Sequence, residues 1–247
     1  MIKFFRNLRQ HMIKEHKVSR YILYALGEIV LVVIGILIAL QINNWNENRK
    51  VLKAQVNLLE DFYDNLGVDS VQLTIDKQNM LKIIACQKQL HAYRKGIIQP
   101  ELVDEPIRIR GSIRNVSITQ TNHPEIATKV LNETIKEEIR VYYRLLSSME
   151  NAYKQYDNVV KESIRPYLSE KLAINANVIF DNRAQFDSVQ RLNLENFYGA
   201  VKEDYFSQIL SESNIKAVEL VEFFNWVISA NHALRLNIKK ELDGRDN

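Results

Sequence analysis

The residue types that usually carry chemistry are scattered along this 247-residue chain. None of its five histidines belongs to an HExxH motif or to a close ligand cluster with acids. There is no glycine-rich phosphate loop, no G-x-S-x-G nucleophile elbow and no dinucleotide fingerprint. The single cysteine, Cys86, excludes an intramolecular disulfide and a zinc site built on cysteines. We therefore predict a protein that is not an enzyme and has no catalytic, metal or cofactor site.

One ionisable residue stands out, because Glu28 is the only charge in the apolar run YILYALGEIVLVVIGILIALQI at residues 21–42. A helix needs roughly 20 apolar residues to cross the hydrocarbon core, so this run predicts a transmembrane helix. A carboxylate there usually faces other helices, finds a hydrogen-bond donor or stays protonated. Glu28 would therefore make an interhelical contact or reach the inner headgroups, or else relay protons or cations in an oligomer.

Small residues in the same run would allow helices to approach closely. Gly35 and Ala39 form a small-xxx-small pair, and Gly27 lies on the same four-residue row. We predict that Gly27, Gly35 and Ala39 contribute to helix packing.

Basic residues are concentrated before the apolar run. Residues 1–20 contain six Lys or Arg side chains and one acid, whereas three basic residues, Arg49, Lys50 and Lys53, follow the run closely. Positive charge near a span stays on the cytoplasmic side, which predicts a cytoplasmic N-terminus. A cleaved signal peptide is the competing interpretation, but a small-x-small cleavage site is missing and helix-compatible residues follow.

The remaining residues have the composition and periodicity of helices. Seven Gly and four Pro are few for a β protein, whose turns need both. Apolar residues recur every seven positions from Trp45 to Met80, and a second seam, rich in tyrosine, runs from Ile135 to Val160. Such seams predict that another helix packs along them. A third apolar stripe lies within residues 203–242.

These patterns predict an all-α protein in three parts: a basic cytoplasmic amphipathic segment at 1–20, a transmembrane helix at 21–42 and a periplasmic helical domain at 43–247. The transmembrane helix would continue as a long stalk, with one kink at Gly67. The domain would be an up-down-up bundle of helices at about 43–95, 124–169 and 203–242. We expect the second of these helices to bend near Pro166.

The connection at residues 97–124 contains three of the four prolines and a basic motif. Its alternating stretch IRIRGSI, at 107–113, predicts a small hairpin at the membrane-distal tip. Arg108, Arg110 and Arg114 would then form a loop that binds an acidic partner. The more ordinary interpretation is a solvated cap over the helix ends.

Three stretches of the chain resemble a known family: MIKFFRNLRQ at the start, ALGEIVLVVIGILIALQINNWNENRK across the apolar run and, more loosely, IKEEIRVYYRLL. They are similar to the recurring sequence of an uncharacterised family of single-pass membrane proteins from flavobacterial-type Gram-negative bacteria. The resemblance implies an inner-membrane protein that faces the periplasm. It implies no known activity and no catalytic residue.

The leading hypothesis is a non-enzymatic inner-membrane scaffold or interaction protein. It would be a homo-oligomer held in the lipid bilayer, and its periplasmic helices would dock an unidentified membrane or periplasmic protein. The nearly balanced charge, 33 Lys+Arg against 30 Asp+Glu, does not suggest nucleic acid as a partner. The alternative is a membrane ion-pathway or energy-coupling subunit that uses Glu28, and the third hypothesis is a periplasmic sensor subunit.

Overall fold

The computed structural model describes residues 18–113, 116–181 and 191–244. The α-helices in these ranges are α1 (Val18–Arg94), α2 (Ile118–Asn122), α3 (Ile126–Lys129), α4 (Glu133–Val159), α5 (Arg165–Glu170), α6 (Ala176–Asp181), α7 (Leu194–Val201) and α8 (Asp204–Asp243). Two short 3-10 helices, Pro100–Leu102 and Pro106–Arg110, and a π-helical turn, Val160–Ile164, complete the helical structure of these ranges. The described residues contain no strand, only an isolated bridge between Ile174 and Leu192. The predicted all-α class is confirmed.

The chain divides into two compact units, Met1–Asn57 and Leu58–Asn247, and α1 contributes to both. In the first unit, the described apolar side chains of residues 22–42 are almost all exposed, as Leu31 illustrates with 73% of its surface accessible. Trp45 and Leu52, the first two positions of the seven-residue seam, are exposed as well. The first unit thus leaves its apolar surface uncovered by the residues that the structure describes.

The second unit has a continuous hydrophobic core. The later positions of the seven-residue seam, Leu59, Leu66, Leu73 and Met80, are completely buried in it. The core also takes in large aromatic side chains from the three long helices and from α7: Phe62, Tyr142, Tyr156, Phe197, Phe206 and Phe224. The seam of α1 therefore packs against the chain's own helices in this unit.

The tyrosine-rich seam of α4 is also covered within the chain. Seven of its eight positions are buried, and Tyr153 is partly buried. The predicted need of the tyrosine hydroxyls for partners is met internally, since Tyr142 donates to Asp69 Oδ2 at 3.1 Å and Tyr156 donates to the Gly111 carbonyl at 3.0 Å. These hydroxyls do not require a second protein.

The connection between α1 and α4 travels back along α1 instead of forming a tip. Its early residues contact the end of α1, since the Asp104 amide donates to Gln89 and the Cys86 thiol donates to the Glu105 carbonyl. Its late residues contact α1 some 25 positions earlier, where His123 Nε2 lies 3.2 Å from Asp61 Oδ2. The predicted hairpin at 107–113 is wrong, because Pro106–Arg110 forms a 3-10 helix.

This returning connection changes the direction of the helices that follow. Asp69 of α1 accepts a hydrogen bond from Tyr142 of α4, and further along both helices Cys86 lies close enough to Tyr156 to affect the pKa of its hydroxyl, so these two helices are parallel. The helix α8 is antiparallel to both, because Asn231 contacts Leu66 and Tyr142 while Ser213 contacts Gln87. The three long helices therefore run up, up and down. This differs from the predicted up-down-up order because the connection between α1 and α4 itself runs antiparallel to α1, so that α4 starts again in the direction of α1.

The sequence predicts a kink in α1 at Gly67 and a bend near Pro166. The helix α1 is unbroken at Gly67, where an added Cβ would lie 3.5 Å from Arg235 Nη2. The missing side chain thus leaves room for the Arg235 guanidinium, which stacks over Tyr63 at 4.6 Å. Near Pro166, where the sequence predicts a bend, the α-helix changes to the π-helical turn Val160–Ile164 and resumes at Arg165.

The predicted helix at 124–169 begins later than expected. Asn132 interrupts it, since its side-chain oxygen accepts hydrogen bonds from the amides of Thr134 at 2.9 Å and Ile135 at 3.2 Å. This is the bonding of a helix N-cap, so α4 starts at Glu133 and the preceding residues form the separate helix α3.

Candidate functional site

A basic cavity of about 390 Å³ lies in the second unit. Its lining combines arginine side chains with two isoleucines and a glycine: Ile107, Arg110, Gly111, Arg165, Ile174 and Arg191. These residues come from the first connection, the helical segment around Pro166 and the two segments that the isolated bridge joins. The cavity therefore exists only in the folded chain.

Local structure fixes Arg110 and Arg165 next to each other. The 3-10 helix Pro106–Arg110 is anchored by the buried side chains of Pro106 and Ile109. Arg165 then donates two hydrogen bonds to the Arg110 carbonyl, at 3.1 Å from Nε and 2.9 Å from Nη2. This contact holds the Arg165 fork against the backbone that carries the Arg110 side chain.

The opposite part of the lining depends on the isolated bridge. The Asn175 amide donates to the Arg191 carbonyl at 2.9 Å, and the Asn193 amide donates to the Ala173 carbonyl at 3.0 Å. These two bonds bring Ile174 and Arg191 together at the cavity. Just before the bridge, Leu172 has a φ of 53°, which allows the chain to turn sharply after α5.

Two of the three arginines that line this cavity, Arg110 and Arg165, are not paired with acids in the described part of the chain. Within the described residues, neither Arg110 nor Arg165 forms an ion pair, and the Arg110 side chain donates no hydrogen bond. Burial, with a further contribution from the neighbouring Arg165, lowers the pKa of Arg110 from its ordinary value. The cavity thus presents positive charge that the surrounding protein disfavours.

The predicted arginine trio is therefore only partly brought together. Arg108 forms an ion pair with Glu105 at 2.5 Å, while Arg110 lines the cavity with Arg165. Arg114 lies outside the described residues. Sequence reasoning missed Arg165 and Arg191, because no spacing or motif relates them to Arg110.

A second, larger cavity of about 620 Å³ lies along α4 and differs in its charge. It is also lined by two arginines, but both lie near an acid. Arg140 approaches Glu137 at 3.2 Å, and Arg144 approaches the same carboxylate at 3.5 Å. Its positive charge is thus partly compensated within the protein.

A buried polar cluster around Asp69 has a structural role. The Asp69 carboxylate accepts hydrogen bonds from the Ser117 hydroxyl and from the amides of Ile118 and Thr119, at the start of α2. Asp69 and Ser117 thus satisfy donors at a helix N-terminus that would otherwise be unpaired. The cluster fastens the returning connection to α1.

The predicted membrane residues lie on the uncovered part of α1. A Cβ added at Gly27 or Gly35 would meet nothing within 4 Å, and Ala39 and Glu28 occupy exposed positions. The helical packing roles of Gly27, Gly35 and Ala39, and the role of Glu28, remain predictions. In the described ranges, no group of three or more His, Cys, Asp or Glu side chains has the arrangement to hold a metal ion.

The fold defines a helical protein in which α1 is, within the described ranges, the one helix long and apolar enough to cross a membrane. Residues 28–95 match a family of unknown function (DUF6090). The matched residues are those of α1 from Glu28 onward, together with Lys95. Neither a curated protein nor a solved structure matches the chain.

Proposed function

We propose that this chain is a non-enzymatic single-pass inner-membrane scaffold or interaction protein. Residues 21–42 anchor it in the bilayer, the N-terminus is cytoplasmic, and the helical bundle lies in the periplasm as part of a homo-oligomer. The observation that carries the proposal is the contrast between the two units. The second unit covers its own apolar seams, whereas the first exposes apolar side chains on all sides of α1.

The balance of transfer free energies favours insertion of this segment. Residues 22–42 contain fourteen Ile, Leu and Val side chains. At roughly 0.3–0.6 kcal/mol each, they contribute about 4–8 kcal/mol toward insertion, whereas one central charge opposes it by roughly 2.5–3.5 kcal/mol. Glu28 therefore does not prevent the segment from spanning the bilayer, and a partner on a neighbouring helix would lower its penalty.

Self-association draws its support from the first unit. The tyrosine-rich seam no longer argues for an oligomer, because α8 and the returning connection cover it. The uncovered backbone at Gly27 and Gly35 and the exposed side chains of Trp45 and Leu52 do support one. These residues form the surface through which we expect a second copy, or a partner membrane protein, to pack.

Two other functions are supported by specific observations. Glu28 lies on the uncovered helix, which favours a membrane ion-pathway or energy-coupling subunit in which the carboxyl relays protons or cations. The basic cavity favours a periplasmic sensor subunit, whose signal another protein would transmit. Both functions keep the same membrane anchor.

Photo-crosslinking in native membranes tests the proposal. A photo-reactive residue replacing Trp45 should capture a second copy or a partner protein. One replacing Glu47, an exposed residue about 200° around the same helix, serves as the matched control and should capture much less. Monomer alone from both positions would contradict the interaction role.

A further inference from the structure

We propose that the cavity beside Arg110 and Arg165 binds the oxyanion group of a small ligand, a carboxylate or a phosphate, whose apolar part lies against Ile107 and Ile174. The proposal does not depend on the membrane orientation of the chain. It concerns only the second unit, which contains every residue of the lining.

The first argument is the charge of Arg110 and Arg165, since Asp157 is the acid that interacts with Arg165 and it is already paired with Lys161. Two guanidinium groups converge in a partly buried place, and the described residues provide no carboxylate within ion-pair distance of either. Burial disfavours the charged form of Arg110, and repulsion from the neighbouring Arg165 adds to this, so the pKa of Arg110 is lowered from its ordinary value. An anion bound between them would relieve this repulsion and supply the acceptors that Arg110 lacks.

The second argument is geometric. A guanidinium is a planar fork of donors that matches the two oxygens of a carboxylate or phosphate. Arg165 is held in one orientation by its two bonds to the Arg110 carbonyl, so its position does not have to be ordered when a ligand binds. The contrast with Arg108, which Glu105 already neutralises, leaves Arg110 as the available fork in this 3-10 helix.

The third argument is the size and lining of the cavity. Its volume of about 390 Å³ falls within the range of small-molecule sites, near the lower end. Ile107 and Ile174 are partly buried and provide apolar surface beside the charge. A ligand that combines an oxyanion with a short apolar body fits this lining better than a bare inorganic ion.

Calorimetric titration of the full-length chain in nanodiscs of zwitterionic lipid tests the site. The probes are butyrate, inorganic phosphate and the uncharged butyramide. We expect butyrate to bind more tightly than phosphate, and butyramide not to bind. Absence of binding by both oxyanions, or equal binding of butyrate and butyramide, would overturn the proposal.

Two single substitutions with the same change in charge separate a built site from general attraction. Arg110→Gln removes the fork inside the cavity but keeps the backbone carbonyl to which Arg165 donates, and should weaken butyrate binding at least about tenfold. Arg108→Gln removes a neutralised fork two residues away and should change binding by less than about twofold. Equal weakening by both would show diffuse electrostatic attraction and overturn the proposal.

Thermal unfolding shows whether Arg110→Gln weakens butyrate binding because it removes the binding group or because it alters the fold. In anion-free buffer this variant should be as stable as the native chain or more stable, because it removes a charge that Arg165 repels. Butyrate should raise the unfolding temperature of the native chain and not that of the variant. Two results together would assign Arg110 a purely structural role and overturn the proposal. The Arg110→Gln variant would unfold at a lower temperature than the native chain in anion-free buffer, and butyrate would not raise the unfolding temperature of the native chain.

Changing the lipid composition of the nanodiscs shows whether the oxyanion belongs to a lipid headgroup or to a soluble ligand. Adding anionic phosphatidylglycerol to the nanodiscs should reduce butyrate affinity if the site takes a lipid phosphate. Unchanged affinity would identify a soluble ligand. Either result supports an oxyanion site, provided that its dependence on Arg110 persists.

Discussion

The Asp69 carboxylate in α1 accepts a hydrogen bond from the Ser117 hydroxyl, with 2.6 Å between Oδ2 and Oγ. It also accepts bonds from the Ile118 amide at 2.8 Å and from the Tyr142 hydroxyl at 3.1 Å. One buried side chain thus joins α1, the returning connection and α4. This junction fixes the point at which the chain reaches α2 before it continues into α4.

Asp69→Ala should therefore destabilise the bundle strongly. The substitution leaves the hydroxyls of Ser117 and Tyr142 without this acceptor in a buried place, which we expect to reduce the free energy of unfolding by roughly 2–4 kcal/mol. Urea denaturation of the detergent-solubilised chain, followed by circular dichroism, measures the loss. Asp64→Ala removes an exposed carboxylate from the same helix and should change stability by less than about 0.5 kcal/mol. Similar losses in the two variants would refute the junction.

Cys86 should be inert in the folded protein. Its thiol is 1% exposed and donates a weak hydrogen bond to the Glu105 carbonyl, and burial raises the pKa of this thiol to about 12. Because the thiolate is the nucleophile, maleimide at pH 8 should modify Cys86 only after the bundle opens.

The matched control for Cys86 is its exposed neighbour in α1. Ala85→Cys in a Cys86→Ala background should react rapidly with the same reagent. Labelling of the two cysteines at comparable rates without denaturant would show that the returning connection does not cover Cys86.

Leu172 offers a test of the turn that leads to the bridge. Its φ of 53° lies in the left-handed region, which disfavours a side chain by roughly 1–2 kcal/mol, and the side chain itself is 71% exposed. Leu172→Gly should thus raise the free energy of unfolding by up to about 1 kcal/mol. Leu172→Ala removes the same packing but keeps the strain and should not stabilise, so a glycine variant no more stable than the alanine variant would show that the left-handed backbone costs the chain nothing.

The parts of the fold that the sequence could predict are those governed by local periodicity. The seam of α1, the tyrosine-rich seam of α4 and the stripe of α8 place their apolar residues on one helical face, and these faces are indeed buried in the second unit. The path of the first connection has no such period. It depends on contacts between residues far apart in sequence, such as Asp69 with Ser117, which no local pattern encodes.

The same reasoning explains what was missed in the basic cavity. The alternating arginines of 107–113 indicate Arg110 and predict an external acidic partner for it. Arg165 lies 55 residues further along the chain, and the returning connection and the parallel arrangement of α1 and α4 bring the two together. A sequence motif does not contain that topology.

Glu28 separates the scaffold from the ion pathway. Gln is nearly isosteric with a neutral Glu and keeps a donor and an acceptor, so Glu28→Gln should preserve the oligomer and should complement any phenotype that deletion of the protein causes. Glu28→Leu removes the polar group and should weaken an interhelical contact by roughly 0.5–2 kcal/mol, which shifts the oligomer distribution in mild detergent. Native mass spectrometry and complementation of the deletion provide the two measurements. An intact Glu28→Gln oligomer that fails to complement would favour proton or cation relay.

The membrane arrangement is tested most directly by cysteine labelling in intact spheroplasts with a membrane-impermeant maleimide, in a Cys86→Ala background. The six-to-three excess of basic residues before the span predicts that a cysteine at Gln10 is shielded until the membrane is permeabilised. A cysteine replacing Ile97, which is 70% exposed in the folded second unit, should be labelled in the intact cells. The reverse pattern, or labelling of both positions before permeabilisation, would contradict a single span with a periplasmic bundle.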